Sequence, residues 1–242
     1  MQKLGLARGV PMPSFGAPME AVPSFEPPAS RLREARSRIV SFWWVKTLGI
    51  SAFMTVFFVV YFHLLTHPRF PVTTVPRIFL DELIPFQPGA LPLYLSLWVY
   101  VTVGPSLLRT WRELLSYSVA AIVLASLGFL VFILWPTAVP MAEIDPSLLP
   151  SLAHLKQVDA SGNAFPSLHV AFAVFNAIWV SRQFQELHAG NIARALNWIW
   201  CLGIVYSTMA IRQHVALDAL SGAVLGVAVA AVQMRLLDRG RS

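Results

Sequence analysis

Two ionisable residues, His214 and Asp218, stand at the start of an apolar segment that carries no further charge until Arg235. On a helix they lie four residues apart on one face, so the carboxylate can accept a hydrogen bond from one ring nitrogen and fix the tautomer. The other ring nitrogen is then free to attack an electrophile. A satisfied polar pair or a helix cap is the structural alternative, but ionisable groups inside membrane segments are costly and usually functional.

A second candidate group lies about 45 residues upstream, in residues 161–169. Asn163 is suited to cap a helix and Pro166 is suited to the first turn, so we expect a helix to begin here. Its unpaired backbone N–H groups, near Gly162 and Asn163, could bind a phosphate.

Ser167 and His169 follow in the same turn and add a hydroxyl donor and a second titratable ring. We expect His169 to lie at the same depth in the membrane as His214. A histidine near a membrane interface is often structural. A functional role for His169 therefore depends on its lying close to His214 and Asp218 in the folded protein.

The composition predicts a membrane protein. Of 242 residues, 56% are hydrophobic and only 12% charged, with a mean hydropathy of +0.63, whereas soluble domains carry about 25% charged residues. The net charge of +6 comes from basic residues grouped beside hydrophobic segments. This pattern favours anionic lipid headgroups and argues against a nucleic-acid partner. The single cysteine, Cys201, excludes an intrachain disulfide.

The apolar segments predict an all-α, integral membrane six-helix bundle over residues 41–237, because each approaches the roughly 20 residues that a crossing needs. Residues 68–88 are expected to form a surface loop or an interfacial segment. The expected spans are 42–65, 90–108 with a kink at Gly104 and Pro105, 117–135, 165–180, 195–211 and 214–236.

The ends of the chain are expected to be tails. Residues 1–40 are predicted to be a disordered, Pro-rich and basic cytoplasmic tail, whose stretch 31–38 is a basic juxtamembrane helix. Trp43 and Trp44 follow at the depth of an interfacial aromatic belt. Residues 238–242 form a short second tail.

The Lys and Arg residues predict the orientation. Fourteen of the 18 fall in segments on the side of the N-terminus, which predicts that both termini are cytoplasmic and that the site with His214 faces outward. The four basic residues on the other side are Arg69, Arg77, Lys156 and Arg212.

Taken together, the two candidate groups resemble a known family. Pro166-Ser167-Leu168-His169, followed by Ser207-Thr208, His214 and Asp218, resembles the second and third signature motifs, P-S-G-H and S-R-x5-H-x3-D, of the phosphatidic-acid phosphatase type 2 superfamily. The Pro-Ser-Leu-His variant and the segment 81–86 (Asp-Glu-Leu-Ile-Pro-Phe) resemble the branch that includes inositol-phosphorylceramide synthases and related bacterial membrane proteins. The resemblance implies six spans and an outward-facing site, and it suggests a bacterial inner (plasma) membrane.

The chain departs from the family pattern at two cations. In the first motif, K-x6-R-P, Lys156 is present but Asn163 stands where the arginine should be, and Thr208 replaces the arginine of the third motif. We expect Arg212, one helical turn after Thr208, to take the place of the lost arginine, with Lys156 as a second charge. The alternative is that Arg212 only snorkels to the interface.

The resemblance implies a mechanism. His214, oriented by Asp218, would attack phosphorus and form a phosphohistidine, while His169 would protonate the leaving alcohol and then activate the acceptor. The result is a metal-independent membrane lipid phosphatase that needs no cofactor and acts on a lipid phosphate or pyrophosphate monoester in the outer leaflet. The expected substrate-binding groups are Lys156, Ser167, Arg212, Gly162, Asn163, Ser207 and Thr208.

Three alternatives stay open. A lipid or polyol hydroxyl in place of water would make the protein a transferase of phospho-headgroups, similar to an inositol-phosphorylceramide synthase. His169, His214, Asp218 and Asp159 could instead bind a divalent metal. The missing cations also allow a vestigial, non-catalytic lipid-binding protein, and the sequence leaves the oligomeric state open.

Overall fold

The computed structural model describes residues 28–140 and 162–239, which are mostly helical. The helices are α1 (Pro28–Val40), α2 (Trp43–Thr66), α3 (Phe79–Leu83), α4 (Leu91–Leu95), α5 (Leu97–Ser106), α6 (Trp111–Leu134), α7 (Leu168–Glu186), α8 (Asn191–Ala210) and α9 (Ala216–Arg239), with a 3-10 turn at Pro88–Ala90. Two short strands, β1 (Thr73–Thr74) and β2 (Thr137–Ala138), pair in parallel.

Each predicted span coincides with helical structure, and three of the described helices, α2, α6 and α9, are long and apolar enough to cross a membrane. Helices α7 and α8 have 19 and 20 residues, about 30 Å at 1.5 Å per residue. Large apolar side chains are also exposed on α5 and α8, where Val99 is 61% and Leu202 63% exposed. Exposed apolar faces of this kind are suited to contact with lipid, so they favour crossings by these helices too. The count of six crossings stays a prediction.

The second predicted span is two helices. The helix is interrupted at Ser96, which lies between α4 and α5. The Ser96 hydroxyl donates to the Leu93 carbonyl at 2.6 Å and accepts from Trp200 Nε1 at 2.9 Å. The expected kink at Gly104 and Pro105 falls in the last turn of α5, where Pro105 is the penultimate residue, and not in the middle of a longer helix.

Buried cations hold one end of the bundle together. Arg38 of α1 is 5% exposed and donates to Gln183 Oε1 of α7 at 2.8 Å. Lys46 Nζ donates to the carbonyls of Arg38, Ser106 and Leu108 at 2.6, 2.9 and 2.9 Å. The described part of the predicted tail is thus a helix, α1, that packs against the bundle. A helix is predicted for its basic stretch 31–38, whereas the tail as a whole is predicted to be disordered to residue 40. Its first 27 residues lie outside the described part.

The opposite end gathers the segments that surround the candidate site. Strand β1 follows α2, β2 follows α6, and Thr137 of β2 also bridges to Asn163 ahead of α7. The Gln87 N–H donates to the carbonyl of Ala210, the last residue of α8, at 2.9 Å. The described segments that the charge pattern assigns to the outer side therefore meet at one end of the molecule.

Helices α7 and α9 are in backbone contact. A Cβ placed on Gly222 would overlap the Ser167 carbonyl oxygen, and one on Gly226 would overlap the Ala171 carbonyl oxygen. Glycines four residues apart form the small-residue face that lets membrane helices approach this closely. Helix α7 is central in the bundle, and its Trp179 is completely buried. Its position therefore determines where Ser167 and His169, at its N-terminus, lie.

Replacing Gly226 by alanine should lower the melting temperature, because the new methyl group needs space that the Ala171 carbonyl occupies. Forcing extra atoms into a packed interface costs about 1–3 kcal/mol. The matched control is Gly89→Ala, where a Cβ meets nothing within 4 Å. Thermal unfolding in detergent checks both variants, and equal melting temperatures would contradict the close approach.

Candidate functional site

His214 and Asp218 face each other at the start of α9. His214 Nδ1 lies 3.5 Å from Asp218 Oδ2, with His214 8% and Asp218 0% exposed. Helix α9 begins at Ala216, so His214 lies in the preceding connection, and the expectation that both residues stand on one helix is wrong. Asp218 Oδ2 also accepts from the Val215 N–H at 3.0 Å. One carboxylate therefore both caps the helix and faces the ring.

The connection before α9 is shaped by the end of α8. The Thr208 carbonyl accepts from the backbone N–H groups of Gln213 and His214 at 3.0 and 3.1 Å. The hydroxyls of Ser207 and Thr208 donate to carbonyls of their own helix, at Ile204 and Val205. Both residues are expected from the sequence to bind substrate. The structure buries their side chains inside the bundle, and both hydroxyl protons are donated in hydrogen bonds within α8.

Asp81, which sequence reasoning cited only for a resemblance, supports the same connection. Its Oδ1 accepts from the Ala216 N–H at 2.7 Å and its Oδ2 from the Ile78 N–H at 2.8 Å, while the side chain is 3% exposed. Asp81 thereby joins α3 to the first residue of α9. Its distance in sequence from His214 hides this role, although the Asp81-Glu82 pair in an interfacial segment of mostly apolar residues is a usable signal.

His169 enters the site from the second residue of α7. Its ring stacks on Tyr94 at a centroid distance of 4.3 Å, meets the edge of Trp98 at 5.3 Å, and lies 6.2 Å from the His214 ring. Within the described residues no hydrogen-bond partner reaches His169 Nε2, which is buried. The structure therefore brings the two predicted rings together and leaves one nitrogen of His169 without a protein partner there.

Helix α7 begins later than expected. Its N-cap is Ser167, whose hydroxyl accepts from the Val170 N–H at 3.3 Å, and not Asn163. Asn163 is drawn into the β-bridge with Thr137, and its Nδ2 donates to the Tyr61 carbonyl at 2.9 Å. The prediction that Asn163 and its neighbour open the helix is wrong.

Gly162, the other residue expected at the helix start, has a φ of 139° and lies before the bridge. The free N–H groups of α7 are consequently those of its first turn, next to Ser167, because a helix N-terminus leaves its first donors without helical partners. Ser167 lies at the start of this turn, so its expected contact with an anion stays a prediction, while Gly162 and Asn163 lie outside the turn.

Arg212 does not continue α8. The helix ends at Ala210, and Arg212 has a φ of 61°, so it is not one turn above Thr208 on the same face as expected. Its Nη1 donates to the Asp81 carbonyl at 3.1 Å. Burial lowers the pKa of Arg212, the positive charge of Arg77 lowers it further, and the Asp81 carboxylate raises it. Arg77 is a second cation at this end that sequence reasoning did not assign to the site.

Some predicted groups cannot be placed. Lys156 and Asp159 lie outside the described residues. Among residues 28–140 and 162–239, His, Cys, Asp and Glu side chains form no group of three or more that could hold a metal ion. The described arrangement is therefore two imidazole rings 6.2 Å apart near the start of α7, one of them backed by a carboxylate, with Arg212 and Arg77 at the same end of the molecule.

Comparison with known families matches residues 120–241 to the PAP2 superfamily, and the chain belongs to this superfamily. The matched region contains both histidines, Asp218 and all of α7, α8 and α9. Comparisons with curated proteins and with solved structures gave no match. The predicted resemblance is thus confirmed for the superfamily, and the inositol-phosphorylceramide synthase branch stays a prediction.

Replacing Asp81 by asparagine should destabilise the protein. Asparagine has one acceptor oxygen for two buried N–H groups, so its amide nitrogen would face one of them at a cost of about 1–3 kcal/mol. Glu82→Gln, at the exposed neighbouring carboxylate, is the control and should leave the melting temperature unchanged. An Asp81→Asn variant as stable as wild type would show that Asp81 does not fix the connection.

Proposed function

We propose that the protein is a membrane lipid phosphatase that hydrolyses a lipid phosphate or pyrophosphate monoester through a phosphohistidine at His214. PAP2 superfamily members are generally phosphatases or phosphotransferases that act on lipid-like substrates. The observation that carries the proposal is the pair of rings 6.2 Å apart, with Asp218 behind His214.

The steps follow from this geometry. Asp218 faces His214 Nδ1, so Nε2 attacks phosphorus while the leaving alcohol takes a proton from His169 Nε2. Neutral His169 then accepts a proton from water, whose oxygen displaces His214 and releases phosphate. The distance between Nδ1 and Asp218 is longer than a hydrogen bond, and such contacts commonly shorten when substrate binds.

Positive charge at the same end would stabilise the phosphate oxygens. Arg212 and Arg77 carry guanidinium groups close enough for one to lower the pKa of the other, and arginine stays charged at neutral pH. The first turn of α7, capped by Ser167, adds backbone donors. In this proposal Arg212 and Arg77, with Lys156 as an expected contributor, replace the positive charge that the departures from the family motifs remove.

The proposed setting is a bacterial inner membrane crossed six times, with both termini cytoplasmic and the site facing outward. The distribution of Lys and Arg supports this orientation. The exposed apolar faces of α5 and α8 support crossings beyond the three helices that length and composition identify. The gathering of β1, β2 and the starts of α7 and α9 at one end supports a single interfacial site.

A headgroup transferase is the second candidate. The aromatic rings of Tyr94 and Trp98 cover His169, and His169 also borders an apolar cavity. A lipid hydroxyl could approach His169 from this cavity and replace water as the acceptor in the second step.

Phosphate release from a panel of lipid phosphates and pyrophosphates, with EDTA present, tests the proposal. The His214→Asn variant should release phosphate on the order of 10⁶-fold more slowly, which is the loss expected when a nucleophile is removed. His188→Asn is the matched control, because His188 is exposed at the opposite end of the bundle and its left-handed backbone suits asparagine.

Release that survives in His214→Asn would rule out the proposed nucleophile, and loss of wild-type activity in EDTA would rule out metal independence. Headgroup transfer to a lipid hydroxyl without phosphate release would identify the transferase. If neither reaction occurs and vanadate does not bind, the site is vestigial.

A further inference from the structure

An apolar groove with a volume of ≈ 720 Å³ adjoins the candidate site, between α2, the α4–α5 segment and α6. His169 lines it beside Tyr94 and Trp98, and Lys46 lines it near the opposite end of the bundle. Its walls are otherwise formed mainly by aliphatic and aromatic side chains. A groove that starts at a catalytic ring and continues along membrane helices is suited to a hydrocarbon chain.

The groove is longer than one leaflet of a bilayer. Its lining residues on α2 run from Val45 to Phe62, about 25 Å along a helix that rises 1.5 Å per residue. The whole hydrocarbon core of a bilayer is about 30 Å thick. A chain that starts at His169 and fills the groove would therefore reach well past the middle of the membrane.

We propose that this groove binds the hydrocarbon chain of the substrate and limits the chain length that the protein accepts. Gly49 and Ala52 of α2 lie where the end of the longest accepted chain would be. The occupant is the chain of a long lipid phosphate whose phosphate lies between His169 and His214. This inference rests on the proposed function, because that function places the phosphate at one end of the groove.

Gly49 and Ala52 keep the far part of the groove open. Both line it, and a Cβ added to Gly49 meets nothing within 4 Å. Lys46, one turn before Gly49, is fixed by three backbone carbonyls. The far end is therefore bounded by a side chain that is held in place, and the space in front of it exists because residues 49 and 52 are small.

The test measures kcat/KM for single-chain alkyl phosphates of increasing length. Gly49→Trp should leave kcat/KM for short chains unchanged. In this variant kcat/KM should stop rising with chain length at a shorter chain than in wild type. Ala52→Trp, about 4.5 Å nearer the site, should stop the rise at a shorter chain still. Each methylene excluded from the groove should cost about fourfold in kcat/KM.

Leu48→Trp is the matched control. Leu48 adjoins Gly49 on α2 but is 63% exposed and does not line the groove, so this variant should keep the wild-type length profile. Identical profiles for wild type, Gly49→Trp and Ala52→Trp would overturn the inference while leaving the phosphatase proposal intact.

A second readout does not depend on turnover. An alkyl phosphate with a diazirine at the chain end, bound to wild type or His214→Asn, should label α2 between residues 46 and 54 after irradiation. This labelling without hydrolysis by wild type would support the groove and reject the proposed function. Labelling elsewhere, or equal labelling by a phosphatidylcholine with the same chain end, would overturn the groove as a substrate site.

Discussion

The backbones of α7 and α9 touch at Gly222 and Gly226, and the geometry of the candidate site depends on this contact. Beside it, the Ser167 N–H donates to the Asp218 carbonyl at 3.0 Å. The starts of the two helices are thus joined by a backbone hydrogen bond, close to both histidines. Any side chain larger than hydrogen at either glycine would separate the helices and, with them, the two rings.

Two carboxylates then hold the connection that carries His214 at the start of α9. A helix N-terminus presents unpaired N–H groups and partial positive charge, which makes it a favourable place for buried anions. Asp218 accepts from Val215 and Asp81 accepts from Ala216, so two successive donors are satisfied by two different segments of the chain. The connection that carries His214 is held from both sides, which is the support that a nucleophile needs for a fixed direction of attack.

The local part of this arrangement could be predicted from the sequence. The spacing of His214 and Asp218 predicted a facing pair, and the motifs predicted that His169 would join it. The exact helix starts could not be predicted, because Asn163 pairs with β2 and the Thr208 carbonyl closes the turn before α9. These interactions depend on the three-dimensional arrangement of segments that are not periodic.

Contacts between distant segments account for the remaining differences. Asp81 meets Ala216 across 135 positions, and Arg77 acts on Arg212 across a similar separation. No pattern within a single helix reveals such pairs. The glycine spacing at Gly222 and Gly226 was readable as a helix-packing signal, and it would have predicted that α9 packs closely against another helix, although not which one.

The most direct test of the account is to locate the covalent phosphate. Purified protein mixed with a reactive lipid phosphate is quenched at alkaline pH after a few milliseconds, and the phosphorylated peptide is sequenced by mass spectrometry. The account predicts phosphate on His214, with more of it in a His169→Ala variant supplied with a substrate whose leaving group needs no proton. Phosphate on His169, or turnover with no phosphate on His214, would contradict it.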